Sequence, residues 1–569
     1  MYTLGINAAY HDTSACLVHD GRVLAAAEDE RFTRIKHGKR PVPFSAWELP
    51  YHAIDYCLAE AGIELADVDH IAYAYDPYLL LDTRGATITL PLEPSAGAQP
   101  GLAPWEPLFL AYLVNAERQL VDGVPHRLRA RFRGAKTARH WRWHFVEHHL
   151  CHEASAFLAS PFDECAVMTL DGRGERASTS YGYYAHDDYR RLGQVTLPDS
   201  LGLLYEDVTE YLGFLRSSDE YKVMALASFG RPRYVDDFRR IVQTGPGGTY
   251  RIEPPRLAER FGPPRKPDSG FDAKHFDIAR SLQQVLEETV LELGAWLARE
   301  TRAPNLCMAG GVALNCVLNG RLRDARIFRD VWVQPAAGDA GTALGAALWI
   351  DWQHRARRDY VMDHVYLGPE YRDAEIESFL ARGKLRARHV DDVADETAKL
   401  LADDKIVGWF QGRMEFGPRA LGARSILASP IRPEMQQRLN DIKDREDFRP
   451  VAPAVIEERA AEWFVGGGRS PFMLFVFDVA ADKADRIPAV RHVDGTARVQ
   501  TVNRAQHPLY YDLLCAFERR TGVPVLVNTS FNTRGEPIVC TPRDAVECFF
   551  TSPLDALVIG SFVLEKEAT

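Results

Sequence analysis

Short apolar runs separated by tight turns open the chain. They cover Tyr2–Ala8, Ser14–His19 and Arg22–Glu28, with an Asp-Gly dipeptide between the second and the third, which is a strong signal for a β-hairpin. Apolar residues then recur at helical spacing over Ala46–Ala61, and a further strand pattern follows at His70–Tyr75. The alternation of strands and helices predicts a mixed α/β fold.

The same layout recurs in the middle of the chain. Apolar runs at Ala166–Leu170 and Ser178–Tyr184 flank a glycine-containing turn. Helical spacing follows at Tyr205–Leu212 and Phe276–Arg299, and a short strand pattern at Leu306–Met308 runs into glycine. We therefore predict a first domain that contains this strand pair twice.

A charged stretch that is poor in apolar residues, 353–359, predicts a linker between two domains. A new strand pattern begins at Val361–Leu367, and a second α/β domain occupies the rest of the chain. We place the first domain at residues 1–355 and the second at residues 360–569.

Two stretches of the first domain lack a clear strand or helix pattern. From Leu79 to Pro107 the chain is rich in Pro, Gly and Thr, which is typical of a long surface loop and predicts a segment that faces substrate. Residues 126–144 combine many arginines with Trp141 and Trp143. This stretch is either a solvated basic face, which we favour, or a surface that binds an anion or the acceptor substrate.

Composition narrows the possible functions. The 569 residues are 46% hydrophobic and 26% charged, the balance of a globular protein, and a net charge of -11 argues against nucleic acid as a partner. Nine cysteines without a C-x-x-C pair predict buried thiols in a reducing cytoplasm. The chain has no signal-peptide pattern and no apolar run of about eighteen residues. We therefore predict a cytoplasmic small-molecule enzyme without a membrane segment.

Three glycine-containing turns stand at strand ends or before helices, where phosphate groups bind readily. They lie at 171–174, 309–311 and 338–341. Each alone is more often a plain turn, but the three together favour a nucleotide site. The carboxylates of Asp12 and Asp171 predict a place for a metal ion or a water molecule beside the phosphates.

Two histidines in the segment 147–156 have the spacing of metal ligands. His148 and His152 fall one helical turn apart, on the same face of a helix. The segment lacks the glutamate of the zinc-protease H-E-x-x-H pattern, which disfavours peptide hydrolysis. We predict Asp339 as the third ligand and interpret Cys151 as a packing residue.

Arginine, lysine and glycine are concentrated between Gly408 and Pro453. Guanidinium forks and an ammonium group among Gly, Pro, Ala and Leu suit a small ligand that carries phosphate better than they suit surface ion pairs. The polar residues Asn528–Asn532 follow the apolar strand predicted at Val523–Val527. Strand ends are favourable positions for a binding site.

In this order, the motifs resemble those of the O-carbamoyltransferases of the nodulation-protein U and cephem carbamoyltransferase family, which includes tobramycin carbamoyltransferase. The likeness runs along the whole chain. The motifs that carry it are Tyr10–Ser14, Glu28–Phe32, His148–Ala156, Leu170–Glu175, Ser200–Gly202 with Tyr205, Tyr221–Met224, Gly310–Asn315, Gly417–Ser425, Lys443–Pro453 and Asn528–Asn532.

The resemblance implies a first domain like the actin and sugar-kinase ATPases, in their threonylcarbamoyl-transferase branch, and a second domain like the YrdC-type synthases of threonylcarbamoyl adenylate. The second domain would use ATP and carbamoyl phosphate to make carbamoyl adenylate, with release of phosphate and pyrophosphate. The first domain would transfer the carbamoyl group to a hydroxyl of a small molecule. The implied cofactors are ATP with Mg²⁺ and a divalent metal that we expect to be iron, with manganese and zinc as alternatives.

The resemblance also assigns roles to residues. Those expected to hold the metal are His148, His152 and Asp339. Those expected to contact the nucleotide in the first domain are Asp171, Gly172, Gly310, Gly311 and Asn315. Those expected in the second domain are the catalytic Lys443 and Arg449 and the ligand-binding Arg419, Arg424, Arg498, Asn528 and Ser530.

His11 is the predicted base that takes the proton of the acceptor hydroxyl. A neutral imidazole accepts a proton near physiological pH, and Asp12, which we count with His11 as catalytic, stands next to it. The alternative is a histidine that only closes the turn.

The predicted acceptor is an antibiotic or another natural product, such as an aminoglycoside, a macrolide or another polyketide, and a homodimer is one expected assembly. A tRNA threonylcarbamoyl-adenosine synthase is the alternative function, which the acidic net charge argues against. A non-catalytic nucleotide switch of the Hsp70 or actin class is a third hypothesis, supported only by the layout of the first domain.

Overall fold

The computed structural model describes residues 1–38, 49–81, 112–122 and 140–566. The chain divides into two compact units. The first contains residues 1–202, 300–313 and 330–362, and the second contains residues 203–299, 314–329 and 363–569. Two segments of the predicted first domain, 203–299 and 314–329, thus belong by contact to the second unit.

The first unit contains two five-stranded sheets among its described residues. Strands are numbered along the chain, and the first sheet comprises β1 (Tyr2–Asn7), β2 (Ser14–His19), β3 (Arg22–Glu28), β4 (His70–Tyr73) and β5 (Arg142–Phe145). Its order is β3-β2-β1-β4-β5. The first three strands are antiparallel neighbours, whereas β4 and β5 run parallel to β1.

The second sheet repeats this arrangement. It comprises β6 (Glu164–Leu170), β7 (Ala177–Ala185), β8 (Asp188–Thr196), β11 (Asn305–Ala309) and β12 (Asp330–Val333). The strands β9 (Val242–Thr244) and β10 (Tyr250–Ile252) form a hairpin that belongs to the second unit. Its order, β8-β7-β6-β11-β12, again has three antiparallel strands followed by two parallel ones. The sequence pattern missed β8 because most of its residues are polar.

The α-helices of the first unit are Glu30–Thr33, Tyr51–Ala61, Pro77–Leu81, Ala116–Asp122, His148–Phe157 and Ala340–Arg355. Helix Ala340–Arg355 packs on β1 and on helix His148–Phe157. At Gly345 a Cβ would collide with the carbonyl oxygen of Cys151, and at Gly5 with the carbonyl oxygen of Ala343. Glycine at these positions therefore lets the two helices and the strand approach closely, which fixes their relative positions.

The second unit is built on one eight-stranded sheet. Its strands are β13 (Arg388–His389), β14 (Val407–Phe410), β15 (Arg424–Ala428), β16 (Ala452–Ile456), β19 (Gln500–Val502), β20 (Val525–Ser530), β21 (Ala556–Ile559) and β22 (Phe562–Glu565), and a separate pair is formed by β17 (Val476–Asp478) and β18 (Thr496–Arg498). The order is β13-β22-β21-β14-β15-β20-β16-β19. The apolar core lies between this sheet and helices that pack on it.

The α-helices of the second unit are Leu201–Tyr211, which begins in the first unit, Glu220–Ala227, Val235–Ile241, Leu257–Phe261, Ala273–Thr301, Cys316–Asp324, Asp373–Arg382, Val393–Ala402, Glu434–Ile442, Ala460–Trp463, Pro508–Thr521 and Pro542–Thr551. The longest, Ala273–Thr301, ends in the first unit. The prediction of a mixed α/β protein is confirmed.

Two strand predictions in the second unit need correction. Val361–Leu367 is not a strand: Met362, Val365 and Leu367 are buried, but the segment forms no ladder and has one isolated bridge, from Tyr366 to Glu415. The strand predicted at Val523–Val527 instead spans Val525–Ser530 and lies between β15 and β16. The polar residues Asn528, Thr529 and Ser530 therefore lie inside a central strand, and the Asn528 amide bonds to the buried Gln500.

The predicted linker 353–359 is packed against the first unit. Helix Ala340–Arg355 enters it, and Arg358 donates hydrogen bonds to the carbonyl oxygens of Phe157 and Phe162. Most of the predicted loop Leu79–Pro107 and of the basic stretch 126–144 lies outside the described residues, so their roles stay predictions.

All nine cysteines are free thiols, and all but Cys515 are buried, as predicted. Among the residues described, no helix has both the length and the apolar character that a bilayer crossing requires.

Candidate functional sites

Helix His148–Phe157 holds the predicted pair of histidines. The backbone N–H groups of His148 and Asp76 donate to the Glu175 carboxylate, which caps the positive end of the helix. Because residues four apart share a helix face, the rings of His148 and His152 lie with their centroids 4.7 Å apart. Both side chains are fully buried.

Two carboxylates from other elements complete a buried cluster. Asp171 follows β6, and Asp339 directly precedes helix Ala340–Arg355. His148 Nε2 lies 3.5 Å from Asp339 Oδ1 and 3.7 Å from Asp171 Oδ2, and His152 Nε2 lies 3.7 Å from Asp339 Oδ1. One ligand atom from each of the four residues lies within 4.8 Å of the others. The structure thus brings the three predicted metal ligands together and adds Asp171, which the sequence analysis placed at the nucleotide.

Opposite charges dominate this cluster. Burial alone would lower the pKa of His148, but Asp339 and Asp171 outweigh burial and raise that pKa well above its usual range. Burial would raise the pKa of Asp339, but His11 and His148 lower it to about 2. The two carboxylates are therefore held ionised, which is the form that binds a cation.

The unpaired nitrogen atoms of the histidines fit a divalent metal. Neither Nε2 of His148 nor Nε2 of His152 has a hydrogen-bond partner among the described residues, although both are buried. His148 Nδ1 lies 3.3 Å from the Ala74 carbonyl oxygen, so Nδ1 can keep its proton as a donor while a metal ion displaces the proton of Nε2. Two imidazoles with two carboxylates suit iron, manganese or zinc.

The turn after β1 places His11 beside the cluster. His11 Nδ1 lies 2.9 Å from Asp12 Oδ2, and His11 Nε2 lies 3.8 Å from Asp339 Oδ2. A second histidine, His37, contacts the other oxygen of Asp12 at 2.8 Å. Tyr10 and Asp12 both have positive φ angles, which is strained for residues other than glycine and recurs at functional sites.

Asp12 is held as an anion between these two imidazoles. Burial would raise its pKa, but His37 and His11 outweigh burial and keep the pKa well below its usual range. His37 could not be predicted from the sequence, because its spacing from His11 matches no local pattern.

The glycines of the predicted nucleotide site lie near Asp171. The Gly311 N–H donates to Asp171 Oδ1 at 2.7 Å, and the Gly172 carbonyl accepts from Ser200 Oγ at 2.8 Å. Gly310 has φ +92 and packs so closely on the Leu170 backbone that no Cβ fits. The structure therefore brings these four predicted residues together in the first unit.

Asn315, the fifth residue of the predicted nucleotide set, belongs to the second unit. Its side chain accepts from the Leu318 N–H and so caps helix Cys316–Asp324, and its amide donates to Gln283 Oε1 at 2.8 Å. These bonds give Asn315 a structural role whether or not it also contacts a ligand.

Lys443 of the second unit is anchored at the end of β20. It directly follows helix Glu434–Ile442, and its Nζ donates to the carbonyl oxygen of Ser530 at 2.6 Å and to Asn532 Oδ1 at 2.6 Å. It also lies 3.1 Å from Ser530 Oγ. The predicted pair of Lys443 and Ser530 is therefore in direct contact, and the lysine ammonium is held in one place.

Four arginines of the second unit lie close enough to repel one another. Burial, and then the charge of Arg498, lowers the pKa of Arg419, and burial followed by Arg449 lowers that of Arg445. Burial also lowers the pKa of Arg498, and Arg449 adds to this effect. Since arginine keeps its proton in proteins, such shifts indicate positive charges that are poorly solvated and poorly neutralised.

Within the described chain, Arg419, Arg445 and Arg498 form no ion pair with a carboxylate, and each has a buried nitrogen without a hydrogen-bond partner. Arg449 is different, because it lies 3.6 Å from Glu446 and stacks on Tyr221. Uncompensated guanidinium groups at short range form a site for an anion. Arg445 lies in the motif Lys443–Pro453 but was not predicted as a site residue.

Two other predicted residues, Arg424 and Asn528, form hydrogen bonds with groups of the protein itself. Arg424 is fully buried, donates to the carbonyl oxygens of Gln411, Gly412, Ala423 and Pro369, and lies 3.7 Å above the Phe410 ring. Asn528 is buried and donates to Gln500 Oε1 at 2.7 Å. These contacts support packing roles for both residues better than the predicted contact with a ligand.

We expect Arg498→Met to raise the thermal midpoint in phosphate-free buffer, by roughly 2 °C or more, because an apolar side chain of similar length replaces a half-buried charge that has no carboxylate partner among the described residues. The variant should also lose the stabilisation that added phosphate or pyrophosphate gives the unmodified protein. Thermal melts with and without these anions measure both effects. As the control, Arg424→Met should lower the midpoint, since it leaves carbonyl acceptors unpaired. An undiminished phosphate response in Arg498→Met would contradict the anion site.

Comparison with known proteins assigns the family. Residues 2–348 match the family described as "Carbamoyltransferase N-terminus", and residues 398–566 match "Carbamoyltransferase C-terminus". The chain belongs to the carbamoyltransferase family. It is therefore an enzyme of carbamoyl transfer, and the resemblance that the motifs indicated is confirmed. The match does not favour a tRNA threonylcarbamoyl-adenosine synthase.

Relatives of this carbamoyltransferase align along most of its length. Nodulation protein NolNO of Sinorhizobium fredii is 40% identical over 98% of this chain and 80% of its own. An uncharacterized protein of Synechocystis sp. is 41% identical over 100% of this chain and 97% of its own. The crystal structure of T. kodakarensis HypF aligns with 62% of this chain and 48% of that chain at 14% identity and a TM-score of 0.38, which is too weak for any inference.

Proposed function

We propose that this carbamoyltransferase consumes ATP and carbamoyl phosphate, makes carbamoyl adenylate in its second unit, and transfers the carbamoyl group to a hydroxyl of a small natural product. In the second unit, water would first hydrolyse carbamoyl phosphate to carbamate and phosphate, and a carbamate oxygen would then attack the α-phosphorus of ATP and displace pyrophosphate. In the first unit, the acceptor hydroxyl would attack the carbamoyl carbon, lose its proton and displace AMP. The observation that carries the proposal is the group of arginines without a carboxylate partner among the described residues, in the same unit as the anchored Lys443, because both substrates of the first step are phosphate anions.

Transfer to an alcohol requires an activated carbamoyl group. A carbamoyl carbon is a weak electrophile and an alcohol is a weak nucleophile, so the carbon needs a good leaving group before transfer. Attachment to AMP supplies that leaving group. The two repeated sheets of the first unit support our proposal of an actin and sugar-kinase-like fold there, and we propose a YrdC-like fold for the second unit.

In the second unit, Arg419, Arg445 and Arg498 would neutralise the phosphate oxygens of the two substrates. Lys443 would add a point charge whose position is fixed by Ser530 and Asn532. Mg²⁺ would accompany the nucleotide. Since charge in this step moves between phosphate oxygens, fixed cations stabilise the transition state more than water does.

In the first unit, His148, His152, Asp171 and Asp339 would hold the divalent metal, for which we propose iron. When bound, such an ion acts as a Lewis acid that polarises a carbonyl group. His11 would take the proton of the acceptor hydroxyl on Nε2. Asp12 and Asp339, at 2.9 Å and 3.8 Å from its two nitrogens, would stabilise the resulting imidazolium.

Assays of the purified protein with ATP, carbamoyl phosphate and a panel of aminoglycosides, macrolides and other polyketides test this proposal. We expect pyrophosphate release that depends on carbamoyl phosphate, and a carbamoylated acceptor detected by mass spectrometry. A parallel reaction with tRNA, threonine and bicarbonate should give no product. Carbamoylation of the acceptor without consumption of ATP would contradict the proposed intermediate.

A further inference from the structure

A second group of histidines lies on the first sheet, away from the segment 148–152. His70 begins β4, and the parallel register pairs Ala72 of β4 with His144 of β5. Since alternate residues of a strand point to the same face, His70, Ala72 and His144 share one face of the sheet. Their nearness therefore follows from the pairing of two strands, not from any local sequence spacing.

The third histidine comes from the helix that covers this face. Ile350 of helix Ala340–Arg355 packs in one apolar cluster with Ala72. His354 stands four residues beyond Ile350, on the same side of the helix, so it reaches the same face at its exposed end. Its ring centroid lies 4.2 Å from that of His70 and 6.2 Å from that of His144.

The distances among the three rings are compatible with a metal site, although His70 and His144 are hydrogen-bonded to each other without an ion. One nitrogen from each of the three rings lies within 4.8 Å of the others, and His70 Nδ1 lies 2.9 Å from His144 Nε2. Tetrahedral zinc with Zn–N bonds of about 2.05 Å holds its nitrogens about 3.3 Å apart, so small ring rotations suffice. His70 is buried, His144 is half-buried and His354 is exposed, which leaves a solvent path for the ion and for a water ligand.

The local charges keep these imidazoles in the form that binds metal. Burial, and then the charges of neighbouring histidines, lowers the pKa of His144 to about 4 and also lowers that of His70. Both rings are therefore neutral at physiological pH, and neutral imidazole is the ligand. The charge of Arg142 opposes a cation here, whereas Asp69 favours one. Three imidazoles outweigh one exposed arginine, because metal–nitrogen bonds are short and the arginine side chain extends into solvent.

The geometry points to a second metal site, in which His70, His144 and His354 bind one divalent transition-metal ion, zinc by preference, with water completing the coordination. This site is separate from the cluster that contains Asp339. Asp339 and His354 stand at opposite ends of one helix, roughly 23 Å apart along its axis. An ion at His354 would fasten the far end of the helix to β4 and β5 and so stabilise the element that carries Asp339.

Metal content distinguishes the two sites. The full-length protein is stripped with a chelator, loaded with Zn²⁺ or Co²⁺ and desalted, and bound metal is measured by mass spectrometry. We expect two equivalents in the unmodified protein, and one each in His354→Ala and His152→Ala. His389→Ala removes an exposed histidine of the second unit and should keep two. Since His354 is exposed, its loss should not prevent folding, which circular dichroism checks.

Cobalt spectra provide an independent readout. His152→Ala loaded with Co²⁺ should retain the visible absorption of a site with three nitrogens and water, and adding His354→Ala to that variant should abolish it. Zn²⁺ should raise the thermal midpoint of His152→Ala but not that of the double variant. Equal metal content in His354→Ala and the unmodified protein would overturn the second site, whether the unmodified protein binds one equivalent or two.

Discussion

Lys443→Ala should reduce the release of pyrophosphate from ATP by at least about 100-fold when carbamoyl phosphate is present. The Nζ group is fixed by oxygen atoms of Ser530 and Asn532, and it belongs to the same unit as the arginines that have no carboxylate partner among the described residues. Removing one fixed donor that stabilises developing charge typically slows a reaction by about 10² to 10³. The measurement is pyrophosphate release with saturating ATP and carbamoyl phosphate.

Two variants serve as controls for Lys443. Lys405→Ala removes another lysine of the same unit, one that pairs with Glu565 at 2.7 Å, and should keep full activity. His11→Ala should keep pyrophosphate release and lose only the carbamoylated product, because His11 belongs to the first unit. If His11→Ala lost both steps equally, the assignment of the two steps to two units would be wrong.

Asp339→Asn should remove the metal from the four-residue cluster and abolish carbamoyl transfer. The Asp339 carboxylate lies 3.5 Å from His148 Nε2, 3.7 Å from His152 Nε2 and 3.8 Å from His11 Nε2. An amide of the same size keeps the packing but removes the charge and offers a weaker ligand. Since even indirect partners of metal ligands change affinity by about 10-fold to 100-fold, a direct ligand should change it by at least about 100-fold.

The measurements for Asp339→Asn are bound metal per chain and the yield of carbamoylated acceptor, together with pyrophosphate release, which should persist. Asp351→Asn is the matched control, because Asp351 is similarly buried, lies in the helix that Asp339 precedes, and pairs with Arg355 instead of the cluster. It should retain the metal and the transfer activity. Full metal content in Asp339→Asn would exclude Asp339 as a ligand.

The elements that could be predicted from sequence are those whose signal is local. The hairpin strands Ser14–His19 and Arg22–Glu28 have the predicted bounds, because an Asp-Gly turn and apolar runs specify them without help from the rest of the fold. His148 and His152 were found for the same reason, since a spacing of four residues fixes one face of a helix. Conversely, the polar strand β8 and the extended segment at Val361–Leu367 carry misleading local patterns.

Site residues that lie on different helices and strands could be predicted less completely from the sequence. Asp171 was predicted at the nucleotide, yet the packing of β6 against helix His148–Phe157 brings it to the histidines. Arg445 was passed over, because only the folded chain reveals that it lacks a carboxylate partner among the described residues. Arg424 was chosen for its motif, but its bonds to four carbonyl oxygens depend on loops that meet only in the folded second unit.

The sequence by itself determined the α/β character of this protein, its carbamoyltransferase family and the histidine pair of helix His148–Phe157. The first and the third depend on the spacing of neighbouring residues, and the family depends on the order of short motifs along the chain. Tertiary structure alone decided which distant side chains share a site. His70, His144 and His354 illustrate the difference, because no spacing along the chain relates them. Strand register and helix packing set their distances, and these depend on the whole core and not on any one segment.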